Sequence, residues 1–300
     1  MKTLTTKEGG WSALFAPGYG GRLIRLRWNE FDLLRHPERE EELQEGQFVF
    51  GIPVLLPPNR IDAGTFEFQG RRYQLPLNEP QRGNHLHGLV FDREWEVRDH
   101  SASSVTLGCR VEGAAGLGVP FDVEIQYEFS GRTMIQRTTV RNEGSTPMPF
   151  GIGFHTVFRS PRRARLTAAE FRWEIERPRF LANGRKLPWG QFNPDNWFDP
   201  SGQVISCHFP METKEIDGKP FRGALLDYGT LQIRYESGPE FRHWCLWNRN
   251  PADGFLCPEP MSWMVNAPNL PLPPEVTGFQ DIAPHAAWSG VNRITVEERQ

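Results

Sequence analysis

The sequence predicts an all-β fold in which two large antiparallel sheets pack face to face as a single domain over residues 1–300. Gly (29), Pro (26), Phe (21) and Trp (10) are abundant, and the Ala/Leu/Glu/Lys runs typical of long helices are missing. Short apolar and aromatic segments that Gly and Pro separate are typical of sheet proteins. A β-sandwich often reaches the length of this chain, 300 residues, as one unit.

Alternation of apolar and polar residues indicates where the strands lie. Ile24, Leu26 and Trp28 alternate before a turn at Asn29, which predicts an N-terminal hairpin. The segment 65–77, "TFEFQGRRYQLPL", predicts a second hairpin that turns at Gly70. Further strand pairs are predicted in 94–113, 120–144 and 223–237, and one more strand in 241–250.

Two segments do not read as strands. Residues 36–46, "HPEREEELQEG", predict a short exposed turn of helix or a solvated loop because the segment is highly charged. Residues 176–200 predict a long loop, and its aromatic residues predict that this loop is ordered: Phe180, Trp189, Phe192, Trp197 and Phe198. Loops of this length in compact domains are often functional.

Bulk properties exclude several classes of protein. The formal net charge of −3 gives no basic surface for nucleic acid or an anionic membrane. No apolar stretch is long enough to span a bilayer, and the N-terminus lacks the features of a secretory signal. The four cysteines have no CxxC spacing, which argues against a zinc ribbon or a redox motif and for buried free thiols. We therefore expect a cytoplasmic protein.

The segment 83–88, "GNHLHG", contains His85 and His87. Together with His155 and Glu259 they would make a ligand set for a first-row metal. The two imidazoles share a face only if the segment is extended throughout, and its bounding glycines favour a turn that enters a strand. A metal site is therefore one interpretation among several.

Three other segments hold candidate functional residues. His155 in "GIGFHTVF" is either a hydrogen-bonded core histidine or an acid/base group. Glu259 lies between Pro258 and Pro260 in an uncharged stretch, so its carboxylate is either paired with a cation or held ready as a base. Arg60 follows a Pro-Pro turn. It is either an ordinary solvent-exposed arginine or a residue whose planar fork of N–H donors binds ligand hydroxyls.

The order of these motifs resembles that of the aldose 1-epimerase (galactose mutarotase) family. The series is N-R before a hairpin, N-x-L-H-G before an aromatic strand, G-x-H-x-x-F in mid-chain and E-P near the C-terminus, over residues 20 to 295. The resemblance implies a large β-sandwich of the galactose mutarotase-like supersandwich type, with a sugar site on one concave sheet face. It also implies a small-molecule sugar substrate and no metal or cofactor.

The resemblance assigns a role to each motif. Glu259 matches the general base that takes the anomeric proton, and His155 matches the general acid that protonates the ring oxygen. His87 matches a second histidine near the ring oxygen, Arg60 matches the arginine that holds sugar hydroxyls, and Asn84 is a supporting residue. Imidazole suits such chemistry because its pKa lies near neutral pH.

Other positions are assigned less directly or depart from the family pattern. Trp263 and Trp247 are candidates to pack on the apolar face of the sugar. The area where the family usually has a substrate-binding aspartate, residues 204–218, offers His208 or Asp217, and neither matches the family pattern closely. Thr156-Val157-Phe158 replaces the usual Pro-Tyr-Phe, and Pro284-His285-Ala286 replaces Pro-Gly-Glu.

The departures leave the identity of the sugar open. A relative specific for phosphosugars would need extra basic residues, and Arg71, Arg72 and Arg82 are available in the sequence. The alternatives to a mutarotase acting on free aldoses are a phosphosugar mutarotase, a carbohydrate-binding protein without activity and a metal-dependent β-sandwich enzyme. The sequence predicts no nucleic-acid or membrane partner and leaves the oligomeric state open.

Overall fold

The computed structural model describes residues 3–113 and 116–299 and consists mainly of antiparallel strands. One eight-stranded sheet, the rear sheet, runs in the order β10-β11-β12-β13-β28-β24-β23-β17. In that order its strands are Glu96–His100, Ser104–Val111, Phe121–Ser130, Thr133–Asn142, Ala287–Glu298, Leu231–Ser237, Gly223–Asp227 and Arg163–Leu166. The last strand of the chain, β28, therefore lies in the middle of this sheet.

The second eight-stranded sheet, the front sheet, runs in the order β19-β18-β20-β25-β26-β15-β5, and β16 also pairs with β26. These strands are Leu181–Pro188, Phe171–Glu176, Ser206–Pro210, His243–Trp247, Phe255–Met261, Gly153–Phe154, Val54–Leu55 and, for β16, Phe158–Arg159.

Smaller elements complete the molecule. A four-stranded sheet contains β1 (Leu4–Glu8), β2 (Trp11–Ala16), β3 (Arg22–Trp28) and β4 (Phe31–Asp32). The two-stranded pairs are β6–β9 (Arg60–Asp62, Asn84–Leu86), β7–β8 (Thr65–Phe68, Arg71–Gln74), β14–β27 (Met148–Phe150, Gln280–Ile282) and β21–β22 (Lys214–Ile216, Lys219–Phe221). The helices are α1 (Glu42–Glu45), α2 (Pro274–Thr277) and the short 3-10 turns Pro80–Arg82, Pro200–Gly202, Pro251–Asp253 and Ala267–Asn269.

The two large sheets pack face to face around one extended apolar core. Tyr235 of the rear sheet contacts Trp244 of the front sheet with ring centroids 5.3 Å apart. Because side chains alternate along a strand, Trp244 and Leu246 of β25 enter this core while Cys245 and Trp247 point to the opposite face. The predicted β-sandwich is confirmed, and the outer face of the front sheet is free to form a site.

Most local predictions are confirmed. The hairpin 65–77 forms β7 and β8, and Phe66 stacks on Tyr73 at 5.0 Å. The N-terminal hairpin turns at Asn29, whose φ is 51°. The charged segment 36–46 contains only the single helical turn α1. Among the described residues, no helix is long and apolar enough to cross a membrane.

The prediction that residues 176–200 form a loop is wrong for the first half of this segment. Leu181–Pro188 forms β19, which pairs with β18 at the edge of the front sheet. Leu181 and Ala182 are buried there, although the segment has no alternating pattern to reveal the strand. The hairpin between β18 and β19 carries Arg177 and Phe180 to the cavity described next.

Candidate active site

A cavity of about 570 Å³ lies on the outer face of the front sheet. Five of the seven predicted site residues line it: Arg60, His87, His155, His208 and Glu259. Its other lining residues are Phe48, Asn59, Glu79, Arg82, Leu86, Ile175, Arg177, Phe180, Val204, Ser206, Cys207, Cys245, Leu246, Trp247, Arg249 and Val265. Apolar and aromatic walls with a few convergent polar groups are typical of a small-molecule site.

Glu259 is held at the cavity floor by the middle of β26. Side chains alternate along this strand, and Glu259 faces the cavity directly beside Cys245 of β25. A strand that pairs on both sides uses the N–H group of each residue, and the prolines on either side of Glu259 lack this group. Pairing on the other side of β26 is interrupted between its contacts with β16 and β15, and Pro258 and Pro260 lie in that interval. The sheet therefore tolerates both prolines and fixes Glu259 between them.

His155 and Glu259 form a buried pair. The Nε2 atom of His155 lies 3.4 Å from Oε1 of Glu259, and each residue is only 3 % exposed. Burial raises the pKa of Glu259 to about 8, and the charge of Arg60 opposes that rise. Burial lowers the pKa of His155 to about 3, and the charge of Arg22 lowers it further. At neutral pH the pair therefore holds one proton.

The other edge of the His155 ring contacts a thiol. Nδ1 of His155 lies 3.0 Å from Sγ of Cys257, which is fully buried behind the cavity wall. Burial and the nearby Glu259 raise the pKa of this thiol well above its usual value, so it keeps its proton. When Nδ1–H of the neutral imidazole donates to the thiol sulfur, Nε2, the atom that faces Glu259, is left open to accept the proton that the pair shares.

His87 reaches the cavity because the chain leaves strand geometry at that residue. The pair β6–β9 ends at Leu86, and His87 has a left-handed backbone with φ of 61°. Its ring packs on Phe48 at 4.4 Å and edge-on to His155 at 5.4 Å. Within the described residues its buried Nδ1 has no hydrogen-bond partner. Burial, with the nearby His155 and Arg60, lowers its pKa well below 6.5, so the ring is neutral.

The same change of backbone separates the two histidines of "GNHLHG". His85 is buried beside the strand pair, donates from Nδ1 to the Pro76 carbonyl at 2.7 Å, and does not line the cavity. Since a carbonyl only accepts, Nδ1 of His85 carries the proton. The four-residue metal set considered from the sequence is therefore not assembled.

Within residues 3–113 and 116–299, one other group of possible metal ligands is present. His155, Cys257 and Glu259 place ligand atoms within 4.8 Å of one another. However, the thiol contacts Nδ1 of His155 while the carboxylate contacts Nε2, so the donors lie on opposite edges of one ring. The arrangement fits a chain of proton donors and acceptors better than a metal centre.

Arg60 is oriented by a carboxylate that the sequence did not reveal. Its Nε and Nη2 donate to the two oxygens of Glu79 at 2.8 and 2.9 Å, and Arg82 donates to the same carboxylate at 2.6 Å. Glu79 is buried, and these arginines and Asn84 hold its pKa below the usual value against the effect of burial. No spacing or repeat in the sequence marks Glu79.

Asn84 and Trp263 are not brought to the cavity. The amide of Asn84 donates to Glu79 at 3.0 Å and to the Arg179 carbonyl at 2.8 Å, so this residue supports the Arg60–Glu79 pair from behind. Trp263 is buried, donates to the Pro58 carbonyl at 3.0 Å and packs on Phe279. The tryptophan that lines the cavity is Trp247, whose ring contacts His155 edge-on at 5.4 Å.

His208 lines the cavity with both ring nitrogens already engaged. Its Nδ1 donates to the Trp244 carbonyl at 3.1 Å, and its Nε2 accepts from the Val265 N–H at 3.1 Å. Burial lowers its pKa to about 3, so the ring is neutral. Only the carbon edges and faces of His208 remain to contact a ligand. Asp217 lies in the turn between β21 and β22 and does not line the cavity.

Comparison with known proteins identifies the family. The family model described as "Aldose 1-epimerase" matches residues 2–264. The chain belongs to the aldose 1-epimerase family. Among curated relatives, it is 34% identical to the uncharacterized protein YihR of Escherichia coli K12 over 104 residues, which are 34% of each chain. It is 28% identical to the human galactose mutarotase over 166 residues, which are 54% of this chain and 47% of that protein.

The chain therefore matches about a third to a half of the length of these curated relatives. Solved structures extend the likeness over the whole fold. A galactose mutarotase-like protein from Clostridium acetobutylicum superposes with a TM-score of 0.92 at 26% identity, over 99% of this chain and 95% of that one. A putative aldose 1-epimerase from Escherichia coli K12 gives a TM-score of 0.83 at 22% identity, over 99% of both chains. The predicted mutarotase-like fold is confirmed.

Proposed function

We propose that this member of the aldose 1-epimerase family interconverts the α and β anomers of an aldose. The observation that carries the proposal is the contact between His155 and Glu259, which share one proton at the floor of a sugar-sized cavity. Mutarotation needs one group that accepts a proton from O1 and another that delivers one to the ring oxygen. The pair supplies both.

The reaction follows from the protonation of the pair. When the shared proton lies on His155, Glu259 is a carboxylate and accepts the proton of the anomeric O1–H. The C1–O5 bond breaks, His155 Nε2 donates its proton to O5, and the open-chain aldehyde forms. The pair is then left as a protonated Glu259 and a neutral His155, the form that burial favours. Rotation about C1–C2 and the reverse transfers close the ring as the other anomer.

Other cavity residues have supporting roles in this proposal. Arg60, fixed by Glu79, offers its remaining N–H groups to sugar hydroxyls, and His87 presents a neutral imidazole beside His155. Trp247 offers an aromatic surface for the apolar face of the ring. In this proposal residues 1–300 form a single domain, and the protein acts in the cytoplasm.

The test measures anomer interconversion by NMR on freshly dissolved α-glucose and α-galactose and on a wider panel that includes charged sugars. We expect equilibration faster than in buffer, and Glu259→Gln should lower kcat by about 10³-fold or more while sugar still binds. Glu67→Gln is a matched control because Glu67 is exposed on β7, away from the cavity.

The same experiment separates the alternative of a sugar-binding protein without activity. Binding of a sugar without any acceleration across the panel would favour that alternative. Full activity in Glu259→Gln would remove Glu259 from the proposed role.

A further inference from the structure

A small recess of about 140 Å³ adjoins the cavity at the edge of the front sheet. Ile175, Arg177, Phe180, Ser206 and Cys207 line both the recess and the main cavity, so the two spaces are neighbours on one surface. Arg172 and Trp173 complete the wall of the recess. A volume of several water molecules is enough for one oxyanion group.

The arginines around these two spaces fall into two sets. Arg60 and Arg82 bind Glu79, and Arg249 binds Asp253 at 2.5 Å. Arg172 and Arg177, the two that line the recess, have no carboxylate within ion-pair distance among residues 3–113 and 116–299. The Arg177 guanidinium only lies over the Phe180 ring, 5.3 Å from its centroid.

Nearby acidic residues do not neutralise the recess. Glu174 and Glu176 lie on the same strand as Arg172 but do not line the recess. The Asn183 amide donates to both carboxylates, and Arg185 lies 3.3 Å from Glu174. Two guanidinium groups without an acidic partner and the Ser206 hydroxyl are thus left at one small space. Guanidinium forks bind phosphate, sulfate and carboxylate groups through paired hydrogen bonds.

The register of the front sheet sets the position of the recess relative to the acid/base pair. Cys257, Trp247 and Ser206 lie directly opposite one another on β26, β25 and β20 and face the cavity side. Neighbouring strands are about 4.8 Å apart, so Ser206 lies roughly 10 Å across the cavity floor from Cys257, the residue that contacts His155. A pyranose bound with its anomeric carbon next to His155 and Glu259 and its far end toward β20 would reach this recess.

We propose that the recess binds an oxyanion on the substrate, so that the substrate class is an aldose with a negative group at the end opposite its anomeric carbon. The inference rests on the proposed mutarotase function. Phosphate, sulfate and carboxylate share the chemistry that two guanidinium groups and a hydroxyl recognise, and the substrates of the experiment distinguish them.

The experiment compares sugars that differ only at C6: glucose, glucose 6-phosphate, glucose 6-sulfate and glucuronate, with the galactose series in parallel. In low salt, we expect kcat/KM for at least one anionic sugar to exceed that of its neutral counterpart at least tenfold. Added NaCl should reduce this preference because it screens exposed charges. An equal or lower value for every anionic sugar would overturn the proposal.

Variants of the two recess arginines test whether the recess causes the preference for anionic sugars. Arg172→Met and Arg177→Met remove the charge and keep a long apolar side chain, and each should lower the anionic-to-neutral ratio of kcat/KM roughly tenfold. Arg293→Met is the matched control, because Arg293 is exposed on β28 in the rear sheet, and it should leave the ratio unchanged. A ratio that neither recess variant changes would contradict the proposal.

Binding distinguishes this inference from the proposed function. If no sugar is interconverted, the mutarotase function fails, and calorimetric Kd values for the same pairs then test the recess alone. Tighter binding of an anionic sugar than of its neutral counterpart, lost in Arg172→Met, would support the recess. Equal Kd values would overturn it.

Discussion

The imidazole of His155 lies between a buried thiol and a buried carboxyl group, with Nδ1 3.0 Å from Cys257 and Nε2 3.4 Å from Glu259. Burial favours the neutral form of both Glu259 and His155, which raises the pKa of Glu259 and lowers that of His155. One proton is therefore retained over a wide range of pH.

We expect kcat/KM for mutarotation to be level near neutral pH and to fall above about pH 8. Above that pH Glu259 loses its proton while His155 is already neutral, so the pair has no proton to deliver to the ring oxygen. A second fall in kcat/KM is expected only near pH 3, where His155 gains a proton. Measurement of kcat/KM from pH 5 to 10, corrected for the rate in buffer, tests this profile. A fall centred near pH 6.5 would indicate a histidine with an ordinary pKa instead.

The same pKa shift predicts how stability depends on pH. The unfolded chain loses the Glu259 proton near pH 4.5, whereas the folded chain keeps it up to about pH 8. The folded state binds more protons in that interval, so the contribution of Glu259 to the free energy of unfolding falls as pH rises from 4.5 to 8. Urea unfolding of the wild type and Glu259→Gln at pH 5.5 and 8 should show the variant gaining relative stability at pH 8. A difference between the two proteins that does not change with pH would contradict the shift.

Cys257 is predicted to position His155 through its thiol. Cys257→Ser keeps a hydrogen-bond acceptor for Nδ1–H, so we expect kcat within a few-fold of the wild type. Cys257→Val removes that acceptor, so Nδ1–H loses its partner and the ring is no longer held with Nε2 toward Glu259, which should lower kcat on the order of tenfold, the value of one hydrogen bond. Thermal unfolding measures the packing cost of both variants separately. Equal kcat in the serine and valine variants would show that the thiol only fills space.

The sequence predicted the fold and several residues that line the cavity because both leave patterns along the chain. Alternation marks strands such as β7 and β8, and Glu259 is conspicuous as a charged residue between prolines. The strand β19 was missed because its segment has no alternation and is stabilised by pairing with β18 at the sheet edge. Tertiary pairing of this kind overrides local propensity.

The errors within the site have a similar origin. Trp263 and Trp247 look alike in sequence, and only the register of β25 against β26 places Trp247 on the cavity face. Glu79 was missed because it meets Arg60 across nineteen positions of the chain, with no local motif. His208 was correctly placed near the cavity by its position in the chain, but backbone contacts that engage both its ring nitrogens leave no trace in a sequence.

Glu79→Gln is predicted to weaken both stability and sugar binding. The carboxylate accepts four hydrogen bonds, from Arg60, Arg82 and Asn84, and is almost fully buried. Loss of its charge leaves the arginine cations without their partner, which we expect to cost about 3 kcal/mol of unfolding free energy. Because Arg60 loses its fixed orientation, KM should rise more than kcat falls. Glu112→Gln, at an exposed ion pair with Arg110, should change neither value measurably.

His87 is predicted to tolerate asparagine and to reject valine, because its backbone is left-handed with φ of 61°. Asn adopts this conformation readily, whereas a β-branched residue is strongly disfavoured there. We expect His87→Asn to fold with a Tm near that of the wild type and His87→Val to be destabilised by about 1–2 kcal/mol. If the imidazole also acts beside His155, His87→Asn should lower kcat/KM although the protein remains folded. Urea unfolding and the NMR assay on the same samples separate the two effects: a fully active His87→Asn would limit His87 to the role of shaping the turn.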